Sequence, residues 1–379
     1  MKILLTGVET NNKGAELMLY AILQEIERKF PESIVLIDSN NLKQGRGYVN
    51  TKLQLLTYTS LKRTLVKKLH INGVLSLLHL PQINVVPNIP SVDYLLDGSG
   101  LHFTDQMTNS FLTKGWVEIF KSVKKNNAKI IFLPQGFGPI NENYTKKAVS
   151  VLFKYADLVF AREQVSYAYL SNCGSADMKK VKVSPDFTSL VEGTFPDQYS
   201  HLKGAICIIP NVQMVRKGIV SKKDYISYIY HLVHEVAMSN KEVYLLNHGG
   251  KDDEAFIYAC KDILGGKVEI VTNLNALETK GLIASSYLVI SSRFHGVASA
   301  LNSCVPCLAT SWSHKYQCLF DDFHQKNCIL SVTDKDADYM RIREFMDPQN
   351  NKEIREGLKA QIQLIKSETQ KMWSEVWSL

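Results

Sequence analysis

Residues 291–315 read SSRFHGVASALNSCVPCLATSWSHK. The four residues before them, Tyr287-Leu288-Val289-Ile290, form an apolar run that predicts a buried parallel strand. Arg293, His295 and Gly296 sit just beyond it, and Val297-Ala298-Ser299-Ala300-Leu301 reads as the opening of a helix. A strand end feeding a helix N-terminus is where open α/β sheets bind ligands, and the unpaired N–H groups there favour anions. Arg293 can fork onto a carboxylate or phosphate, and His295 can move a proton near neutral pH. Lys315, after a second strand-like run at 307–310, adds positive charge. The residue types fit an anionic donor with a transferable group. They fit equally a capped helix whose Arg pairs with a carboxylate.

Outward from that stretch, strand-like and helix-like segments alternate along the whole chain, which predicts parallel α/β layers. In the first half, strands are expected at 3–6, 33–38, 94–97, 129–133, 158–161 and 181–183, with helices at 14–30, 113–126 and 164–172. The strand at 129–133 is expected to open onto a loop at 134–139. In the second half, strands are expected at 204–210, 243–247, 268–271 and 287–290, with helices at 223–238 and 252–264. The polar, turn-rich stretch 193–203 marks the boundary. The expected domains are 1–195 and 196–345, followed by a long helix over 346–379 that packs back on the first domain.

The length of 379 residues exceeds one ordinary core and fits two domains. Hydrophobic residues at 45% and charged residues at 21% are globular values. No apolar run approaches the ~18 residues that a bilayer-spanning helix needs. Met1-Lys2-Ile3-Leu4-Leu5-Thr6-Gly7 lacks the apolar core and cleavage site of a signal peptide, so a cytoplasmic protein is expected. The net charge of +7 suits anionic small molecules or an anionic membrane surface. No Arg-rich run or aromatic-basic stripe supports nucleic acid as a partner. The seven cysteines are scattered, and Cys304 and Cys307 form a lone Cys-x-x-Cys without a matching zinc-ligand pair. Packing explains that pair better than redox chemistry, and reduced thiols are expected.

Three further blocks join the first. They are Thr6-Gly7-Val8-Glu9-Thr10-Asn11-Asn12-Lys13-Gly14-Ala15-Glu16, then Leu133-Pro134-Gln135-Gly136-Phe137-Gly138-Pro139, then Ala161-Arg162-Glu163 with Ser184-Pro185-Asp186. With Arg293-Phe294-His295-Gly296, Val305-Pro306 and Lys315, their order resembles that of the polysaccharide pyruvyl transferase family. One departure is Gly14-Ala15-Glu16, where many members carry Gly-Asp-Glu. The resemblance implies two Rossmann-like α/β domains facing a central cleft, a glycosyltransferase-B-like arrangement. It also implies transfer of pyruvate from phosphoenolpyruvate to sugar hydroxyls as a ketal.

That reaction protonates the methylene carbon of the enol, lets a hydroxyl attack the carbon bearing phosphate, expels phosphate and closes a ring with a second hydroxyl. It needs cations for phosphate and carboxylate and at least one proton-transfer group. The resemblance places His295 as general acid or base, with Arg162 as a second catalytic residue whose other reading is an ion pair with Glu163 or a neighbouring carboxylate. Arg293, Lys315, Gly296 and His248 are assigned to phosphoenolpyruvate; His248, before Gly249 and Gly250, reads equally as a loop histidine. Asn12, Gly14, Glu16, Ser99, Gly100 and Gln135 are assigned to the acceptor, although Glu16 near a helix start also reads as a capping carboxylate.

Asp252-Asp253-Glu254 reads as a helix start and Asp321-Asp322 as a solvated turn, so no metal and no cofactor beyond the co-substrate phosphoenolpyruvate is expected. The basic-then-apolar segment 61–80 reads as a helix pair covering the first domain, or as a peripheral contact with the inner face of a membrane carrying a lipid-linked glycan acceptor. Two other functions compete. One is a nucleotide-sugar-dependent glycosyltransferase, with Glu278 as the ribose-holding carboxylate. The other is a non-catalytic glycan- or lipid-binding protein.

Overall fold

The computed structural model describes residues 1–38, 41–42, 51–58, 90–107, 116–265, 268–311 and 313–379. The segment 61–80 therefore lies outside the described residues. Two compact units form. The first holds Met1–Thr10, Met18–Phe187 and Lys371–Leu379, and the second holds Asn11–Leu17 and Thr188–Gln370.

The first unit is built on a parallel sheet of β1 (Lys2–Thr6), β2 (Ile34–Asp38), β3 (Gln54–Tyr58), β4 (Tyr94–Asp97), β5 (Leu101–Phe103), β6 (Lys129–Phe137), β7 (Leu158–Ala161) and β8 (Val181–Val183). The order is β3-β2-β1-β4-β6-β7-β8, with β5 on β6. Ile3, Leu4 and Leu5 in β1 are buried because a parallel strand is covered on both faces, which is why it reads as a continuous apolar run. Ile3 lies opposite Val35 on one side and Tyr94 on the other. The sheet therefore runs both ways from β1, and the β1/β4 border is its topological switch point. Gly7 has φ +74, and a β carbon there would overlap Ser99. The loops after β1 and β4 are thus pressed together at that border.

The second unit has six parallel strands: β9 (Ile206–Ile209), β10 (Val243–Leu246), β11 (Glu269–Val271), β12 (Leu288–Ser291), β13 (Cys307–Thr310) and β14 (Ile329–Leu330). Their order, β11-β10-β9-β12-β13-β14, is that of a Rossmann sheet. Ile290 pairs with Ile208 on one side and Leu308 on the other, so the switch point here is the β9/β12 border. Each unit is Rossmann-like. Among the described residues, no helix is long and apolar enough to cross a membrane.

Several boundaries differ from expectation. β6 does not stop at Leu133 but continues to Phe137, because β5 and β7 pair with its end. Gly136 donates its N–H to the Gly100 carbonyl at 2.9 Å, and the register with β7 shifts between Phe132 and Gln135, which accommodates Pro134. The helix after β12 spans Phe294–Asn302 and starts three residues before the expected Val297. Asp321 and Asp322 close a helix, Lys315–Asp322, rather than forming a turn. Strands β3, β5 and β14 and the helices Asn143–Tyr155, Ala276–Ala284 and Lys335–Met346 were not foreseen. The last helix is a single element, Pro348–Val376, and residues 371–379 are counted with the first unit.

Candidate active site

In the second unit β12 ends at Ser291, and the chain turns into the helix Phe294–Asn302 with Arg293 as its N-cap. Ser291 fixes the turn. Its hydroxyl accepts the Arg293 N–H and donates to the Arg293 carbonyl, both at 3.0 Å. Gly296 permits the helix to close on the strands, since a β carbon there would sit 2.9 Å from Ile209 Cδ1. The Arg293 guanidinium lies against Asp253. Nε donates to Oδ2 at 2.7 Å, and Nη2 donates to the same oxygen. The other Asp253 oxygen accepts the Val212 N–H at 3.1 Å.

Asp253 does stand in the first turn of a helix, Lys251–Ile263, as its acidic run suggested. Its side chain, however, is 1% exposed and is committed to Arg293. Sequence carries no signal for this pair, whose members are 40 residues apart.

His248 follows β10 and is 2% exposed. Its Nδ1 has no protein partner among the described residues. Burial, then the charges of Arg293, His295 and Lys13, hold its pKa well below the ordinary imidazole value. His248 is therefore a neutral imidazole beside cations. His295 lies in the first turn of its helix, half-buried, with its ring edge-on to Phe294 at 5.3 Å between centroids.

Residues 11–17 belong to this same unit. A β carbon at Gly14 would overlap the His295 ring. Asn12 accepts the Gly14 N–H at 3.0 Å and so organises the start of the helix Lys13–Lys29. Lys13 Nζ meets Glu16 at 2.6 Å, both buried. Burial raises the Glu16 carboxyl above its ordinary pKa, against the opposing pull of Lys13. Lys315 opens its own helix with Nζ 5.4 Å from the Phe294 ring centroid and 5.6 Å from that of Tyr316.

Arg293, His295, His248, Lys13, Gly14 and Glu16 are thus brought together, with Lys315 one ring away. Lys13 was not among the predicted site residues, although it lies within a quoted block.

The first unit gathers a different set at the carboxyl ends of β4, β6 and β7. Arg162 is 5% exposed, with Nε 3.4 Å from Glu163 and Nη1 3.8 Å from Asp186. Its N–H donates to the Gln135 carbonyl at 3.0 Å. A β carbon on Gly136 would stand 3.3 Å from Arg162 Nη2. Gln135 is fully buried, and neither amide atom has a protein partner among the described residues. Ser99 donates its N–H to Asp97 Oδ1 at 3.1 Å, while Asp97 Oδ2 takes the Thr6 hydroxyl at 2.8 Å. Gly100 has φ +71, a left-handed turn that favours glycine. Asp97, buried beneath this loop, was not anticipated.

Glu278 stands in the first turn of the helix Ala276–Ala284. It forms a capping box with Asn275, each side chain accepting the other's backbone N–H at 2.8 and 2.9 Å. Cys307 is buried at the start of β13, and burial raises its thiol far above the ordinary value, which opposes thiolate chemistry there.

A sequence profile described as polysaccharide pyruvyl transferase matches residues 12–314. No curated protein matches the sequence. Several solved structures resemble the fold. Anabaena HepE in complex with UDP and glucose aligns with a TM-score of 0.62 at 13% identity, covering 100% of both chains. A glycosyltransferase from Rickettsia africae gives 0.55 at 13% identity, over 99% of this chain and 97% of that one. UDP-GlcNAc 2-epimerase from Methanocaldococcus jannaschii, with UDP-GlcNAc and UDP, gives 0.55 at 12% identity, over 93% and 94%. At these identities the likeness is one of fold.

Proposed function

Since the chain belongs to the polysaccharide pyruvyl transferase family, we propose that it forms a pyruvate ketal on a sugar of a cell-surface polysaccharide or its precursor, with phosphoenolpyruvate as donor and phosphate as the released product. The observation that carries this reading is the concentration of cationic and proton-transfer groups where β12 meets its helix. Arg293 and Lys13 surround a histidine that burial and their charges keep neutral. An anionic donor matches such a site, and a helix N-terminus adds to the attraction.

In this reading Arg293 and Lys315 hold the donor's charged groups. His295 delivers a proton to the methylene carbon, and positive character builds at the carbon bearing phosphate. A sugar hydroxyl attacks that carbon and gives up its proton. The carbon–oxygen bond to phosphate breaks, phosphate takes the electron pair, and a second hydroxyl closes the ring with loss of its own proton. One proton gained by the methylene carbon is thus matched against two released by the hydroxyls, with phosphate carrying the other. The uncharged groups Ser99, Gly100 and Gln135 suit sugar hydroxyls, with Arg162 as the cation of that set. Asn12, Gly14 and Glu16 frame His295, the proton-transfer group.

The test is incubation with phosphoenolpyruvate and candidate glycans, following phosphate release and a mass gain on the glycan. The competing reading is nucleotide-sugar-dependent glycosyl transfer, since relatives in fold are seen with UDP. It predicts nucleotide release from a UDP-sugar and no phosphate release from phosphoenolpyruvate.

A further inference from the structure

We propose that Asp253 is a positioning residue that clamps Arg293 in the orientation needed to receive the anionic donor, with Gly249 as the gap that lets the clamp close. The proposal rests on the donor assignment above and adds a residue that assignment does not contain. One carboxylate oxygen takes two guanidinium donors, Nε and Nη2, and the other takes the Val212 N–H at 3.1 Å. Both oxygens therefore act as acceptors, and the carboxylate is tied to backbone as well as to Arg293. A guanidinium has five N–H donors in a rigid fork. Two go to Asp253, and the remaining three have no protein hydrogen bond among the described residues. Asp253 is 1% exposed and Arg293 is 19% exposed, so the pair is sealed on the carboxylate side and open on the arginine side.

Gly249 completes the device. It lies next to His248, and a β carbon there would overlap both Asp253 Oδ2 and Arg293 Nη2. No larger residue fits without pushing the pair apart. Its N–H is held by Asn247 Oδ1 at 3.1 Å, which fixes the loop against the pair. An arginine held in this way loses little side-chain freedom when a ligand arrives, and that preorganisation lowers the cost of binding.

Two variants and two readouts test it. Asp253→Asn keeps the shape but cannot offer an acceptor to both Arg293 and the Val212 N–H. Gly249→Ala leaves both charges in place and displaces the flexible ends of the two side chains. Donor affinity is measured by calorimetry with phosphoenolpyruvate. Hydrogen exchange at the Arg293 Nε–H, followed by NMR and assigned with Arg293→Lys, reports the clamp without any ligand. The expected result is slow exchange in the wild type, faster exchange in both variants, and donor binding weakened by about 10-fold or more, the scale of one charge-assisted hydrogen bond.

Wild-type donor affinity in a folded Asp253→Asn protein would overturn the proposal, as would rapid Nε–H exchange in the wild type. If Asp253→Asn does not fold, Gly249→Ala decides by the same criteria. If the wild type ignores phosphoenolpyruvate but binds inorganic phosphate or UDP-glucose, the donor assignment fails. The clamp then stands or falls on whether the variants weaken that ligand. If none of the three binds, the clamp proposal fails as well.

Discussion

Gly14 and His295 are 281 positions apart in the chain, yet the backbone of one rests on the imidazole of the other. A β carbon at Gly14 would overlap the ring, meeting Nδ1 first. The Gly14 N–H is already held by Asn12 at 3.0 Å, so the backbone has little room to retreat. The first turn of the helix Lys13–Lys29 therefore sets where the His295 ring sits.

Gly14→Ala is expected to displace His295 while leaving the protein folded. A misplaced proton-transfer group costs about 10- to 100-fold in turnover. Steady-state phosphate release beside a thermal melt checks this. Turnover within twofold of wild type would show that the ring position does not matter.

Binding and chemistry separate at neighbouring positions. Arg293→Ala removes a forked contact to an anion and should weaken phosphoenolpyruvate binding. His295→Ala should bind the donor nearly as well but turn over at least ~100-fold more slowly, the usual scale for a lost general acid or base. Calorimetry with turnover for each variant decides it. Near-normal turnover in His295→Ala would remove His295 from proton transfer.

Phosphoenolpyruvate should raise the melting temperature, whereas UDP-sugars should not. A ligand that binds only the native state stabilises by about 2.7 kcal/mol at 100 times its Kd, enough for a clear shift. A shift with UDP-glucose and none with phosphoenolpyruvate would favour glycosyl transfer instead.

The parts of the fold legible in the sequence are those where one strand's own composition is sufficient. Leu288-Val289-Ile290 in β12 is apolar throughout because both faces of the strand are covered, and its place could be read directly. The end of β6 could not, because Pro134 and Gly136 look like breakers and only pairing with β5 and β7 makes them strand. Arg293 and His295 were legible as a motif at a strand end, but the Asp253 partner was not, since an acidic residue in a first helical turn already has a local reason to be there. Glu278 was legible as a carboxylate, but its capping role was passed over. Asn275 with Glu278 three residues later is a capping signature, and the pair forms that cap.

The cap gives Glu278 a structural role that can be measured. As a capping carboxylate, Glu278→Ala should cost about 0.5–2 kcal/mol of stability and leave turnover unchanged. Denaturant melts measure the first and phosphate release the second. A folded variant that no longer releases phosphate would give Glu278 a part in the reaction beyond its cap.

The neutral state of His248 gives stability a pH dependence of definite sign. An unfolded histidine titrates near pH ~6.5. In the folded protein burial, then Arg293, His295 and Lys13, hold His248 well below that value. Below pH ~6.5 the unfolded chain thus binds a proton that the native state does not, so stability falls as pH falls, by at most about 1.4 kcal/mol per pH unit for one proton. Above pH ~6.5 both states are neutral at this position and the contribution is level. His248→Gln has no proton to gain and should lose less stability on acidification. Groups remote from this position titrate alike in both proteins and drop out of the difference between the two curves. Melting temperatures from pH 7.5 to 5 should therefore diverge as pH falls, with the wild type dropping faster. Parallel curves would mean that His248 takes up its proton in the folded state as readily as in the unfolded one, and that the cations around it do not hold it neutral.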